Sequence, residues 1–382
     1  MFDSVRSISV KSNIFSTITF LLIILVIISS DSIISNVSLN SQVFMHEKIS
    51  TNHDHHLQPH KNSRALQTKS ADADVDSSLF EESHVADSEI IEFFSRNRCR
   101  VQLFMTWISP AESFGERELF GLESLFKTNP ESCLIILSNT MDSIHGSKAL
   151  QPLIEIGFRV RAISPDLSSL LSNTPAENWF NEIMNGTKNA GEIPLPQNLS
   201  NLIRLAALYK YGGVYLDTDF IILKDLSSLR NSIGAQSVDV NGNWTRLNNA
   251  ILVFDKNHDL VYKFMEEFAS TFDGNIWGHN GPYLVTRVVD REAKTRDFNF
   301  TILPPMAFYP VDWTRIPRFF ARPNDLAEQR WVQAKLRQLS LTSYGVHLWN
   351  RQSNRLHIEE GSIIRSLISD HCVFCYRPLS SS

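Results

Sequence analysis

The chain has 382 residues, 43% of them hydrophobic, a formal net charge of −5 and a pI near 6.2. It is longer than one average domain, and its apolar content suffices for a sizeable core, so one large α/β domain with accessory segments is the economical reading. A nucleic-acid partner is excluded, because the charge leaves no basic footprint and no Lys/Arg cluster is interleaved with aromatics.

From Ile14 to Ser30 there is no charge, and Phe20 to Ile28 is apolar throughout. Roughly 17 residues is the lower limit for spanning a bilayer. Arg6 and Lys11 precede the run and Asp31 follows it, so the positive-inside rule predicts a cytosolic tail (1–13), a transmembrane anchor (14–30) and a lumenal remainder. A cleaved signal peptide is the alternative, but the run is long for an h-region and its exit lacks an A-x-A site.

Residues 31–95 read as a flexible lumenal stem, rich in Ser, Asn, His and Asp without a sustained apolar period. His46, His53, His55, His56 and His60 fall in it as part of a solvated linker. A lumenal domain agrees with the sequons at Asn185, Asn198, Asn243 and Asn299. Cysteine usage agrees as well. Cys99 precedes a strand over 101–107 and Cys133 opens another over 134–137, so in neighbouring parallel strands the two would lie at one edge and could pair. Cys372 and Cys375 would pair locally, a redox or zinc role for this C-x-x-C being the alternative.

The lumenal part alternates strand and helix. The strand at 101–107 is followed by a helix over 117–127, a strand at 134–137, a helix over 149–156 and a strand at 159–163. Such alternation predicts a parallel sheet with helices on its faces, and ligands bind at the carboxyl ends of such strands. Thr106 and Trp107 end the first strand and are candidates to line a nucleotide pocket. No P-loop motif is present.

Leu202, Leu205, Ala206 and Tyr209 then recur at helical spacing, and Gly212-Gly213 stops the helix. A short apolar strand follows and ends in Asp217-Thr218-Asp219. Side chains two apart in extended chain share a face, so both carboxylates can converge on one hard cation such as Mn²⁺ or Mg²⁺. Asn201 and Arg204 lie one turn apart on the helix, off the apolar stripe, and could face the same cleft. Strands over 221–223 and 250–254, a helix over 260–272 and a helix over 283–289 complete the pattern. Trp277-Gly278-His279-Asn280-Gly281-Pro282 is the loop opening that last helix, its glycines allowing close backbone approach to a ligand.

The run from Asn198 to Arg204, with Tyr209-x-x-Gly212-Gly213-x-Tyr215-x-Asp217-x-Asp219, resembles the D-x-D sugar-binding region of family 32 glycosyltransferases. Residues 277–282, Leu303-Pro304-Pro305-x-Ala307-Phe308-Tyr309-Pro310 and His347-Leu348-Trp349-Asn350 are similar to the conserved region of the alpha-1,4-glycosyltransferases. The resemblance runs over about residues 100–376 and implies a GT-A-like (Rossmann-like) transferase domain, with a nucleotide-sugar half over 96–236 and an acceptor half over 237–378.

It further implies a metal-dependent, retaining hexosyltransferase that moves a sugar from a nucleotide sugar, UDP-linked by expectation, into α-linkage (α-1,4) on a glycolipid or glycan in the Golgi. Its catalytic domain would be lumenal, in a single-pass type II topology. Asp217, Asp219 and His347 are the expected metal ligands, with Arg204 orienting the carboxylates. Asn201, Thr106, Trp107, Asn249, Trp277, Gly278, His279, Asn280, Gly281 and Asn350 are expected to bind substrate. The family commonly has Asp at the place of Asn201, where a donor-sugar hydroxyl would bind. Two other readings are a catalytically inactive lumenal scaffold that binds nucleotide or glycan, and an aspartyl-phosphate phosphatase with Asp217 as nucleophile.

Overall fold

The computed structural model describes residues 77–292 and 298–375. The expected tail, anchor and first part of the stem lie outside the described residues, and no helix among the described residues is long and apolar enough to cross a membrane.

Helix α1 (Ser77–Asn97) leads into β1 (Gln102–Thr106), α2 (Glu116–Thr128), β2 (Cys133–Leu137), α3 (Ile144–Glu155) and β3 (Arg159–Ile163). Helices α4 (Leu167–Leu171), α5 (Glu177–Met184) and α6 (Leu195–Tyr211) precede β4 (Gly213–Leu216) and β5 (Phe220–Ile222). Strands β6 (Ser232–Val238) and β7 (Trp244–Phe254) are followed by α7 (Asp259–Thr271), α8 (Pro282–Glu292) and β8 (Thr301–Leu303). The last part holds α9 (Pro317–Phe320), α10 (Leu326–Thr342), β9 (Gly345–His347), α11 (Asn350–Ser353) and α12 (Ile363–His371).

Seven strands form one sheet in the order β3-β2-β1-β4-β7-β6-β8, and β5 pairs with β9 in a second, two-stranded sheet. Strands β1 to β4 are mutually parallel, whereas β7 runs antiparallel to both β4 and β6. The sheet is therefore α/β and largely parallel, as the alternation predicts.

Strand periodicity divides the core into two faces. Phe104, Ile135 and Leu137 pack with α6, α7 and α8 on one side. Leu103, Met105, Leu134 and Ile136 pack with α2 and α3 on the other. A third apolar cluster, including Ile221, Val346, Phe319 and Ile364, holds the two-stranded sheet to the C-terminal helices. The Cys99–Cys133 and Cys372–Cys375 disulfides both form, so the expected pairing holds.

Several expectations need correction. The stem does not remain flexible to residue 95: α1 buries Ile90 and Phe94 in the core, and Asp87 accepts bonds from Lys210, Tyr211 and Ser169. Ile90 and Phe94 lie one turn apart, and Ala86 and Phe93 pack against the same core cluster, so the helix docks through an apolar face. Helix α3 begins five residues before the expected start, because Ser143 caps it by accepting the Gly146 N–H. The division at 236/237 falls inside β6, a strand the sequence reading missed. Of the sequons, Asn185, Asn243 and Asn299 are exposed, but Asn198 is only 4% exposed and bonds Asn280, which closes it to glycosylation in the folded chain.

Candidate active site

Helix α6 ends at Gly212, whose φ of 72° and its neighbour's of 108° give the left-handed turn that a side chain would resist. The chain passes at once into β4 and delivers Asp217 beyond Leu216, where the Asp217 N–H continues the ladder to the Ala250 carbonyl at 2.8 Å. Below this turn lies α2. A Cβ on Gly121 would stand 3.0 Å from the Phe220 carbonyl oxygen and 3.1 Å from that of Thr218, so only glycine lets the helix and the D-x-D turn meet at this distance. Ser124, one turn on, accepts the Ile222 N–H through Oγ at 2.9 Å.

Asp217 is held from two sides. Arg204 Nη2 lies 3.2 Å from its Oδ1, and the Tyr215 hydroxyl donates to the same oxygen at 2.8 Å. Arg204 is 5% exposed, donates also to the Asn249 carbonyl at 2.8 Å, and stacks over the Tyr215 ring at 4.5 Å. Thr106 bonds the Tyr215 hydroxyl at 2.8 Å, so its link to the carboxylate passes through that phenol.

Asp219 turns the other way. His347 Nε2 lies 3.1 Å from its Oδ1, the Asn350 N–H donates to its Oδ2 at 2.9 Å, and its carbonyl accepts the Leu348 N–H at 2.8 Å. The antiparallel pairing of Phe220 with His347 in β5 and β9 sets this approach. Trp349 then takes a left-handed backbone (φ 55°), anchored by its indole N–H on the Val311 carbonyl at 2.9 Å.

One ligand atom each from Asp217, Asp219 and His347 can be chosen so that all three lie within 4.8 Å of one another. The Asn350 Oδ1 is buried and has no protein partner. Two carboxylates, an imidazole and a spare amide oxygen fit a hard or borderline divalent cation such as Mg²⁺ or Mn²⁺. The two carboxyls are pushed apart. Burial raises the Asp217 pKa and the charge of Asp219 adds to it, against Arg204. At Asp219 burial works the same way but is outweighed by His347 and the Asn350 N–H, so its pKa falls below the ordinary value. Burial also lifts the Tyr215 phenol far above its usual range, which keeps it a neutral donor.

The carboxylates lie on the floor of a cleft of about 1090 Å³. Thr106, Trp107, Asn201, Asn249, Trp277, Gly278, Asn280 and Asn350 all line it. Their chemistry is more structural than the sequence implied. Asn249 donates to Asn201 at 2.8 Å, and Asn280 spends its amide on Asn198 and on the Asp273 backbone. Trp107 packs edge-on against Phe114 and bonds the Pro110 carbonyl.

Two expected residues do not line the cleft. His279 places Nε2 2.8 Å from the Thr271 carbonyl, and its own carbonyl accepts from Arg287. Arg287 in turn is fixed by buried Glu267, so α8 turns this histidine outward. Gly281 allows a close approach to Asn201 rather than to a ligand, since a Cβ there would lie 2.8 Å from Asn201 Oδ1. Conversely Gln236, Arg246, Asn248, Trp313 and Arg351 line the cleft without having been singled out. Arg351 directly follows the quoted motif and was within reach of the sequence reading, whereas Gln236 lies on the unread strand β6.

The comparisons with known proteins agree with this geometry. Residues 115–239 match the model of the glycosyltransferase sugar-binding region containing the DXD motif. Residues 253–379 match that of the alpha 1,4-glycosyltransferase conserved region. Mouse lactosylceramide 4-alpha-galactosyltransferase is 32% identical over 275 residues, 68% of this chain and 70% of that one. The chain belongs to the alpha-1,4-glycosyltransferase family.

Human alpha-1,4-N-acetylglucosaminyltransferase is 29% identical over 226 residues, 56% of this chain and 60% of its own length. An uncharacterized Arabidopsis thaliana protein is 33% identical over 294 residues, 74% of this chain, which spans only 43% of that relative. Among solved structures the PaToxG glycosyltransferase covers 76% of this chain and 95% of its own, at 16% identity and a TM-score of 0.39, too loose a likeness to bear on the site.

Proposed function

We propose that this chain moves a sugar from a nucleotide sugar, UDP-linked, to a glycolipid or glycan with retention, forming an α-1,4 linkage. We place it as a GT-A-type enzyme in the Golgi membrane, in single-pass type II topology with residues 96–378 lumenal. The observation that carries the reading is the convergence of Asp217, Asp219 and His347 on the floor of a cleft large enough for a nucleotide sugar.

Departure of a nucleoside diphosphate concentrates negative charge on its oxygens while the anomeric carbon becomes cation-like. Asp217, Asp219 and His347 would hold Mn²⁺ or Mg²⁺, which when bound supplies positive charge to that leaving group. Arg204 aims Asp217 through a charge-assisted contact and opposes the rise in its pKa that burial causes, and Tyr215 donates to the same oxygen. The Asn350 N–H and β9 orient Asp219. Departure and attack on one face through a short-lived ion pair need no protein nucleophile. The Asn201–Asn249 pair, floored by Gly281, is the candidate contact for donor-sugar hydroxyls.

An inactive scaffold would share the fold, and the neutral Asn201 is its only support. The phosphatase reading has none, because Asp217 is engaged by Arg204 and Tyr215.

The test is Mn²⁺-dependent hydrolysis and transfer across a panel of UDP-sugars, read by mass spectrometry. Asp219→Ala is expected to reduce both to background. Undiminished turnover in that variant would overturn the metal assignment, and nucleotide binding without turnover on any donor would favour the scaffold.

A further inference from the structure

The floor of the cleft is short of positive charge for the ligand assigned to it. Asp217 and Asp219 bring two negative charges, and Arg204 is buried and committed to Asp217 and the Asn249 carbonyl. A divalent cation offsets the carboxylates, yet a diphosphate leaving group gains further charge as its bond to the sugar breaks. Beside Arg204, the cleft-lining arginines are Arg246 and Arg351, and neither has an ion-pair partner among the described residues. Each instead rests on an aromatic ring, Arg246 over Tyr283 at 4.7 Å and Arg351 over Trp277 at 4.0 Å.

The two differ in where they are rooted. Arg246 leaves β7 opposite Ser237, three residues ahead of Asn249. Arg351 is one peptide beyond Asn350, whose N–H binds Asp219 Oδ2 at 2.9 Å, and four residues beyond His347. Its backbone is thus fixed beside the metal-ligand cluster while its guanidinium stacks on Trp277, a cleft-lining residue of the loop before α8. Trp277 is 49% exposed and Arg351 is exposed as well. A cation–π contact in water is weak, whereas a guanidinium meets phosphate oxygens through two parallel charge-assisted bonds. An entering diphosphate therefore outcompetes the indole, and the exchange needs only a fast side-chain rotation.

We propose that Arg351 is a diphosphate-binding residue of the donor site, and that its stack on Trp277 is the position it occupies before the donor enters. This rests on the nucleotide-sugar reading above. Donor binding would then uncover the indole face that Arg351 now covers.

The experiment titrates the full chain with UDP and with UMP, each with Mn²⁺, following heat and tryptophan emission. Arg351→Gln is expected to weaken UDP roughly 10- to 100-fold, the loss of a hydrogen bond to a charged group, and UMP less than threefold. UDP should change the emission of the parent protein, and Trp277→Phe should remove that change. A melting curve like the parent's shows that the exposed substitution leaves the fold intact.

Equal UDP affinity in Arg351→Gln and parent overturns the proposal, as does an equal loss for UDP and UMP. So does loss of the UDP preference in Arg246→Gln but not in Arg351→Gln. If the parent binds neither UDP nor UMP with Mn²⁺, the donor reading itself fails, a result distinct from the others.

Discussion

Gly121→Ala is the sharpest test of how the D-x-D turn is held. Position 121 lies inside α2, where alanine is favoured over glycine by about 0.8–1.0 kcal/mol, so a free helix would be stabilised. Here the new methyl would stand 3.0 Å and 3.1 Å from the carbonyl oxygens of Phe220 and Thr218. Both are backbone atoms and cannot rotate away, so the turn or the helix must shift by some tenths of an ångström. Overpacking of this kind costs about 1–3 kcal/mol, which outweighs or cancels the helix gain. We expect a net destabilisation of about 0–2 kcal/mol by denaturant melting.

Thr218 lies between the two carboxylates, so relaxing the strain displaces them. Restoring ligand geometry on metal binding would forfeit about 0.5–1.4 kcal/mol of that relief, a roughly two- to tenfold loss of Mn²⁺ affinity by calorimetry. A variant about 1 kcal/mol more stable with undiminished Mn²⁺ affinity would refute the seating of the turn on α2.

The docking of α1 depends on Asp87, whose pKa is lowered because Lys210, Tyr211 and Ser169 outweigh the effect of burial. Its folded value lies below the unfolded value of about 3.9, so its stabilisation is present above about pH 4 and is lost as pH falls through the folded pKa. Hydrogen exchange over 86–97 should accelerate on acidification through that range, and Asp87→Asn should show faster exchange already at pH 7, by about 1.5–3 kcal/mol of opening free energy. Exchange in Asp87→Asn equal to the parent at neutral pH would dismiss the anchor. Removing Cys99–Cys133, which closes a 34-residue separation, should cost about 4 kcal/mol, against about 2 for the three-residue Cys372–Cys375 link. Paired Cys-to-Ser variants compared by denaturant midpoint check the order, and a larger loss at the C-terminal pair would reverse it.

Asp217, Asp219 and Arg204 were legible because each sits in a spaced motif next to a glycine stop, whereas His347 entered only through the family resemblance, because the distant pairing of β5 with β9 brings it to Asp219. A glycine stop followed by a four-residue strand leaves the carboxylates little choice of face. His279 and Gly281 were not legible in the same way, since the Glu267–Arg287 pair on α7 and α8 sets the direction of their loop. Strand β6 escaped because Ser232-Ile233-Gly234-Ala235-Gln236-Ser237-Val238 carries little apolar bulk and no clean alternation, and register shifts interrupt its pairing with β7. Gly121 inside a helix signals at most a close approach, and the sequence does not say that the partner is the Thr218–Phe220 backbone.

The pairing of β5 with β9 has a consequence for the order in which this molecule comes into being. It joins Asp219 to His347 across 128 positions of chain, one of the longer closures in the fold. Contacts this distant form late, after local helices and the adjoining strands have condensed, because closure entropy must be met before they stabilise anything. A ribosome-bound chain that has emerged only through α8 would own both aspartates and still lack the imidazole that completes the cluster. Retention on a Mn²⁺–nucleotide column would therefore separate chains that have finished folding from those that have merely collapsed.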